Sequence, residues 1–479
     1  MNTNVMILMK WYCLIIFISL CSCAVNPVSG ERELMLVSEE QEVSIGKEAA
    51  PSLKWEFGGP YEDSALESYL DSIVKDLWKN SERAHLPVRF YIQNTSVPNA
   101  FALPGYVAIT RGLLSDMENE AQFAAVMGHE IGHVMARHTA KRISRMQLQQ
   151  LGIIIGSAAL EGKKGSDALL SIGAMGSSLL LLKYDRDQEI QADRLGVKYM
   201  AALGYDPDEA LSAHKVLEKS VDNYVKRLGK SRGEDNFISN LLSTHPRAEV
   251  RLSEIQDMIM QLPPHSIKND GKFSARFRTE TRRLNEINNI YHIYDKAEQA
   301  YQEKKYSDAE KGVQEAIKLN SAQAPFHNLY GFIKLQEKNY EEADKSFGRA
   351  LSINPGYQPS IYGRGLVYYY KGNYGKAVQE FKKSLDEFPG HAQTHFGLGK
   401  SYFQMNQYAE AIPYLGNFAQ ASPRHPEVHG LLGICLDKTN DTGSAVIEYK
   451  NQLQVAPDTE LGQHAKKRLE ALEPMLKPQ

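Results

Sequence analysis

His129-Glu130-Ile131-Gly132-His133 is the stretch in which residue type and spacing can do chemistry. Histidines four apart project from one face of a helix, one turn above the other. Their imidazoles can share one Zn²⁺, and the Glu130 carboxylate beside them can take a proton from a water at that metal. Two surface histidines on an ordinary helix are the competing reading, which a third ligand would displace. The longer zinc motif does not supply one, because Ala136 and Thr139 stand where a glycine and a third histidine would be. A carboxylate on a second helix is the alternative. Glu189 and Asp193, four apart in Asp185–Asp193, share a helix face. Glu189 reads as the third metal ligand and Asp193 as the acceptor of a ligand histidine's other N–H. Surface acids paired with Arg186 and Arg194 are the competing reading here. His138, nine residues after His129, falls on the far side of a continuous helix and reads as a surface or packing residue.

Several elements must position these groups. Ser115 with Glu118 suits a capping box, and Glu120 to Met127 is rich in helix formers. Gly128 and Gly132 inside that helix imply close approach of a neighbouring element or a substrate. The helix opened at Asp185 runs to Leu203 and stops at Gly204. Upstream, Glu39–Ala50 and Ser64–Trp78 read as helices, the second with Leu66, Tyr69, Leu70, Ile73, Val74 and Leu77 at helical spacing. Val88–Ile92 and Tyr106–Thr110 read as strands of a small sheet, separated by Pro98, Asn99, Pro104 and Gly105. An exposed strand there can pair with an extended substrate, or can be an ordinary edge. The apolar runs Leu151–Leu160 and Ala168–Leu182 fall short of the ~18 residues a membrane span needs, so a helical hairpin beside the site is expected.

The 479 residues exceed one core, so two or three domains are expected. A net charge of −3 with no basic block argues against nucleic acid as a partner. Cys13, Cys21 and Cys23 lie at the N-terminus, leaving Cys435 alone in the body and a metal site made of His and carboxylate rather than thiolate. Residues 1–22 read as an export signal, with Lys10 before the apolar run Trp11–Leu20. Leu20-Cys21-Ser22-Cys23 resembles a bacterial lipobox with Cys23 as the lipidated residue. Ala24, rather than aspartate, after that cysteine suggests sorting to the outer membrane.

Beyond an aperiodic stretch at 262–275 the chain repeats with a 34-residue step. Tyr306, Tyr340, Tyr374 and Tyr408 keep it, as do Ala309 through Ala445, Gly331 through Gly433 and Pro355 through Pro457. Small residues at two fixed places and a closing proline define the tetratricopeptide repeat, in which paired helices stack into a solenoid with a concave binding face. Five units run from about Tyr291 to Asp458, and Leu461–Leu472 forms a cap. Tyr368, Tyr369 and Tyr402 are candidate contacts on that face, although most aromatic residues here should pack between helices.

The zinc motif, Glu189-x-x-x-Asp193, Ser243-Thr244-His245-Pro246, Pro98–Gly105 and Thr110–Leu114 together resemble the zinc metallopeptidases related to the CaaX prenyl endopeptidase and HtpX. With the repeats, the architecture resembles the periplasmic branch of that family. The resemblance implies a gluzincin fold and peptide-bond hydrolysis with one zinc per chain, held by His129, His133 and Glu189. It implies Glu130 as base, Asp193 behind the ligands, and His245 and Arg251 as candidate catalytic residues. His245 would donate to the oxyanion or occupy the metal's open position. Relatives usually carry two glycines after Pro104, whereas here Tyr106 follows Gly105.

The expected fold class is α+β, mostly α. A signal at 1–22 precedes a metallopeptidase domain with a small sheet at 23–261. A linker and leading helix at 262–290 lead into an all-α repeat domain at 291–479. The expected function is a zinc-dependent endopeptidase of outer-membrane protein quality control, lipid-anchored at the periplasmic face of the outer membrane. Its repeats would recruit protein substrates or the outer-membrane assembly machinery. A zinc-bound chaperone or binding scaffold is the rival.

Overall fold

The computed structural model describes residues 23–161, 183–229 and 249–473. The leader at 1–22, the run Ala168–Leu182 and the Ser243–Pro246 segment with His245 lie outside the described residues. The chain divides into two compact units, Met1–His292 and Ile293–Gln479.

In the first unit, β1 (Cys23–Val25) pairs antiparallel with β2 (Arg32–Leu34). Helix α1 (Glu39–Glu56) opens on a Ser38–Gln41 capping box and continues through Pro51, past the Ala50 end expected from its polar stretch. Helix α2 (Ser64–Lys79) buries Leu66, Leu70, Ile73, Val74 and Leu77, as its spacing requires. The sheet has three strands, not two. Between β3 (Phe90–Gln93) and β5 (Tyr106–Thr110) lies β4 (Ala100–Leu103), in the stretch read as turns. The proline and glycine pairs bracket a four-residue run too short to show alternation. The order is β3-β5-β4, with β3 parallel and β4 antiparallel to β5. Central β5 is buried along its whole length, which explains its continuous apolar reading. Tyr106, in place of a second glycine, is part of this core, stacked on Tyr91 and Phe101.

After α3 (Arg111–Asp116) comes the metal-motif helix α4 (Glu120–Met135). Its cap is Asn119, which accepts from the Gln122 N–H at 2.9 Å, while Gln122 Oε1 accepts from the Glu118 N–H at 2.8 Å. Ser115 instead lies near the end of α3, donating to the Gly112 carbonyl, so the expected Ser115–Glu118 box does not form. The Lys272 carbonyl accepts from the Glu120 N–H at 3.1 Å. At the other end, Arg83 Nη1 donates to the Val134 carbonyl at 2.7 Å, a cation where the helix dipole favours one. Helices α5 (His138–Glu161), α6 (Arg186–Ala202), α7 (Glu209–Arg227), α8 (Glu249–Met260) and α9 (Ser274–Gln302) follow. The run Leu151–Leu160 lies within α5. Among the described residues no helix is long and apolar enough to cross a membrane.

The second unit is a stack of helix pairs. Its second helices start at Tyr306, Tyr340, Tyr374 and Tyr408 and end two residues before Pro355, Pro389 and Pro423 in the last three cases. Ala309, Ala343, Ala377, Ala411 and Ala445 are fully buried. An added Cβ at Gly331, Gly365, Gly399 or Gly433 would come within 2.5–2.7 Å of Phe347, Phe381, Leu415 or Tyr449. Those partners keep the same step, so the repeat is a recurring contact of a large apolar side chain over glycine, a ring in three units and Leu415 in the fourth. The final helix, Glu460–Leu472, buries Ala465 and Leu469. Tyr402 is buried in the core of this unit and is no surface contact, Tyr368 and Tyr369 are half-buried, and Tyr370 is exposed.

Candidate metal centre

Helices α4 and α6 pack against each other through glycine. A Cβ at Gly128 would lie 3.0 Å from the Gly196 Cα, and one at Gly132 3.0 Å from the Ala192 carbonyl. The close approach implied by those glycines is therefore made by the helix that carries Glu189 and Asp193. With backbones this near, short side chains from the two helices meet.

His129 Nε2, His133 Nε2 and the Glu189 carboxylate converge within 4.8 Å of one another. The edges are 3.1 Å between the two Nε2 atoms, 3.6 Å from His129 to Glu189 Oε2 and 3.4 Å from His133 to Glu189 Oε1. Tetrahedral zinc with bonds of about 2.0–2.1 Å needs ligand edges of about 3.3–3.4 Å. The remaining hydrogen bonds fix the sign of the site. His129 Nδ1 lies 2.7 Å from Asp193 Oδ1, an acceptor, so the proton sits on Nδ1 and the Nε2 lone pair faces inward. His133 Nδ1 lies 2.8 Å from His138 Nδ1, which leaves its Nε2 facing inward too. Two lone pairs and a carboxylate aimed at one point repel unless a cation lies among them, so the donor set fits a divalent metal.

Burial pushes the His133 imidazole well below its usual range, against the pull of Glu189, which keeps it the neutral base a metal needs. Burial pushes Asp193 up, but His129, His214 and Arg251 outweigh it and hold its carboxyl well below the usual range. Arg251, on α8, is fully committed to the acids. Its Nε and Nη2 donate to Asp193 at 2.8 and 2.7 Å, and its Nη1 lies 2.6 Å from Glu189 Oε2. Arg251 thus fixes the orientation of the Glu189 and Asp193 carboxylates. Glu130 is buried and lines a cavity of about 70 Å³ with His129, Asn99 and Ala100, under an apolar wall that includes Val126, Val197 and Leu217.

Four residues at this centre were not singled out as functional by the sequence. His138 was placed on the far side by assuming one continuous helix. Instead α4 ends at Met135, Arg137 takes φ +58°, and the turn returns His138 to His133. Gln191 lies 2.9 Å from the His138 Nε2, and the Tyr184 ring stacks on His133 with centroids 3.8 Å apart. His214 Nε2 lies 3.5 Å from Asp193. No spacing rule identifies any of them, since His138 lies past a break, Tyr184 and His214 come from other segments, and Gln191, two residues after Glu189, points off the face that Glu189 and Asp193 share.

The profile of peptidase family M48 matches residues 64–259, and tetratricopeptide-repeat profiles match 324–357, 368–416 and 402–469. The chain is 28% identical over 210 residues to the β-barrel assembly-enhancing protease of Yersinia pestis, covering 42% of this chain and 41% of the relative. It is 26% identical over 226 residues to the Escherichia coli protein of that name, covering 45% and 44%. It is 28% identical over 250 residues to the mitochondrial metalloendopeptidase OMA1 of Schizosaccharomyces pombe, covering 51% and 68%. The chain thus spans less than half the length of the two bacterial relatives. The helices that bring His129, His133 and Glu189 together lie within the stretch that matches peptidase family M48, and the repeats that follow them match tetratricopeptide-repeat profiles.

Proposed function

We propose that this chain is a zinc-dependent endopeptidase that acts on proteins of the bacterial envelope, held at the periplasmic face of the outer membrane by a lipid on Cys23. The observation that carries the peptidase reading is the convergence of His129, His133 and Glu189 at tetrahedral spacing beside Glu130. Zinc, when bound, supplies Lewis acidity that polarises a scissile carbonyl and acidifies water. Glu130 takes the proton of the attacking water and passes it to the leaving amine. Asp193 and Arg251 hold the ligands in place. The cavity that Glu130 lines is bordered by Asn99 and Ala100, at the start of edge strand β4. An extended substrate adding to that edge brings its backbone to Glu130. His245 retains the oxyanion-donor or metal-capping role that the resemblance implies.

The repeats recruit substrate or an assembly machine, a reading supported by the names of the bacterial relatives. Glu130→Gln should keep one zinc per chain, measured by elemental analysis, and lower cleavage of unfolded casein by about 10²–10⁴-fold. Retained cleavage would remove Glu130 from its role. Zinc binding without any cleavage, even in His245→Ala, would favour the scaffold. Loss of palmitate labelling and of outer-membrane fractionation in Cys23→Ala tests the anchor.

A further inference from the structure

We infer that His138 and Gln191 are a positioning pair that sets the tautomer of His133 and thereby the affinity of the centre for its metal. The inference rests on the metal-site reading above. Gln191 Oε1 lies 2.9 Å from His138 Nε2, and an amide oxygen only accepts. The His138 proton is therefore on Nε2, and its Nδ1 is an acceptor. His133 Nδ1, 2.8 Å away, must then be the donor, and the His133 lone pair is confined to Nε2, toward His129 and Glu189. The chain amide → imidazole → imidazole transmits one protonation pattern from α6 to the ligand on α4. Tyr184, stacked on the His133 ring at 19° between planes, holds the ring's orientation, and its hydroxyl lies 3.1 Å from Thr139 Oγ1.

Charge explains why an imidazole stands here and not a second aspartate. Glu130, Glu189 and Asp193 are buried carboxylates around the site, and Arg251 is the cation bonded to two of them. Among the described residues, a divalent ion and the Arg251 guanidinium balance these three carboxylates, with Arg142 farther out over the Tyr184 ring. A fourth carboxylate behind His133 would leave a buried charge uncompensated. His138 accepts the hydrogen bond of the His133 Nδ1–H without adding charge, and it is itself buried.

The test is zinc affinity of the full chain, read by competition with a fluorescent chelator, with the melting temperature of the metal-free protein recorded alongside. His138→Leu should weaken binding about 10–100-fold, as loss of an outer hydrogen-bond partner does elsewhere. His138→Asn places a carbonyl oxygen near the Nδ1 position and should restore affinity to within about threefold of wild type, whereas His138→Gln, whose polar atoms reach the Nε2 position, should not. In ¹⁵N-histidine spectra of the wild type, the His133 Nδ1–H proton should be protected and disappear in His138→Leu. Unchanged affinity in folded His138→Leu, or equal losses in the Leu and Asn variants, would overturn the inference. If His138→Leu does not fold, Gln191→Leu carries the test. It frees the His138 tautomer and should weaken zinc several-fold, and unchanged affinity there also overturns it. A wild type that binds no zinc, like the His129→Ala control, would sink the metal-site reading itself.

Discussion

A ligand histidine is only as good as the group behind it. His129 leans on a carboxylate and His133 on a neutral imidazole, so the two are tuned differently. Asp193→Asn should therefore weaken zinc about 10–100-fold, measured by chelator competition. Arg251 carries a separate load, because it compensates Asp193 and Glu189 in the absence of metal. Arg251→Met should destabilise the metal-free protein by about 3–5 kcal/mol, the usual result of stranding a buried charge. Saturating zinc should recover part of that loss, since the ion supplies positive charge and binds only the folded state. Thermal melting with and without zinc reads both effects.

At the scale of elements, the site depends on how closely α4 and α6 approach. A Cβ at Gly196 would meet the His129 backbone nitrogen at 2.9 Å, so helix backbones must part to admit it. Gly196→Ala should lower stability by about 1–3 kcal/mol and weaken zinc as well, because Glu189 moves with α6. The start of α4 is tied to α7. Asn119 and Gln122 donate to Glu209 Oε2 at 2.8 and 3.0 Å, and Lys272 donates to Oε1 at 2.7 Å. Burial raises the Glu209 carboxyl, but Lys272, Asn119 and Gln122 outweigh it and hold it below the usual range. A lowered folded pKa gives stability that is present above the unfolded value and lost as pH falls through the folded one. Between about pH 5 and 3 the wild type should lose melting temperature more steeply than Glu209→Gln.

At the scale of the molecule, two units carry separate cores. In the repeat unit Phe381 is fully buried against Gly365 and Gly397. Phe381→Ala should destabilise that unit by about 3–5 kcal/mol, seen as an earlier melting transition, while zinc affinity stays at the wild-type value. The two readouts belong to different cores, and a coupled loss would show that the units unfold together. The segment after α8, read as part of a linker, has its own anchors. Lys272 reaches Glu120 and Glu209, and Arg276 pairs with Glu120.

Periodicity made most of the elements legible. The 34-residue step depends on one recurring contact between a small residue and a large apolar side chain, so type and spacing suffice to find it. The His129–His133 pair and the Glu189–Asp193 pair were legible for the same reason, since helix geometry alone puts residues four apart on one face. Strand β4 was not, because four residues between turn signals carry no period. What only the tertiary structure decided is how separate elements meet. A break at Arg137 brought His138 to His133, and α8 carried Arg251 to both acids. Local spacing is a property of one helix, but the tautomer and charge of this centre are set by groups from other elements, whose approach depends on the packing of the whole unit.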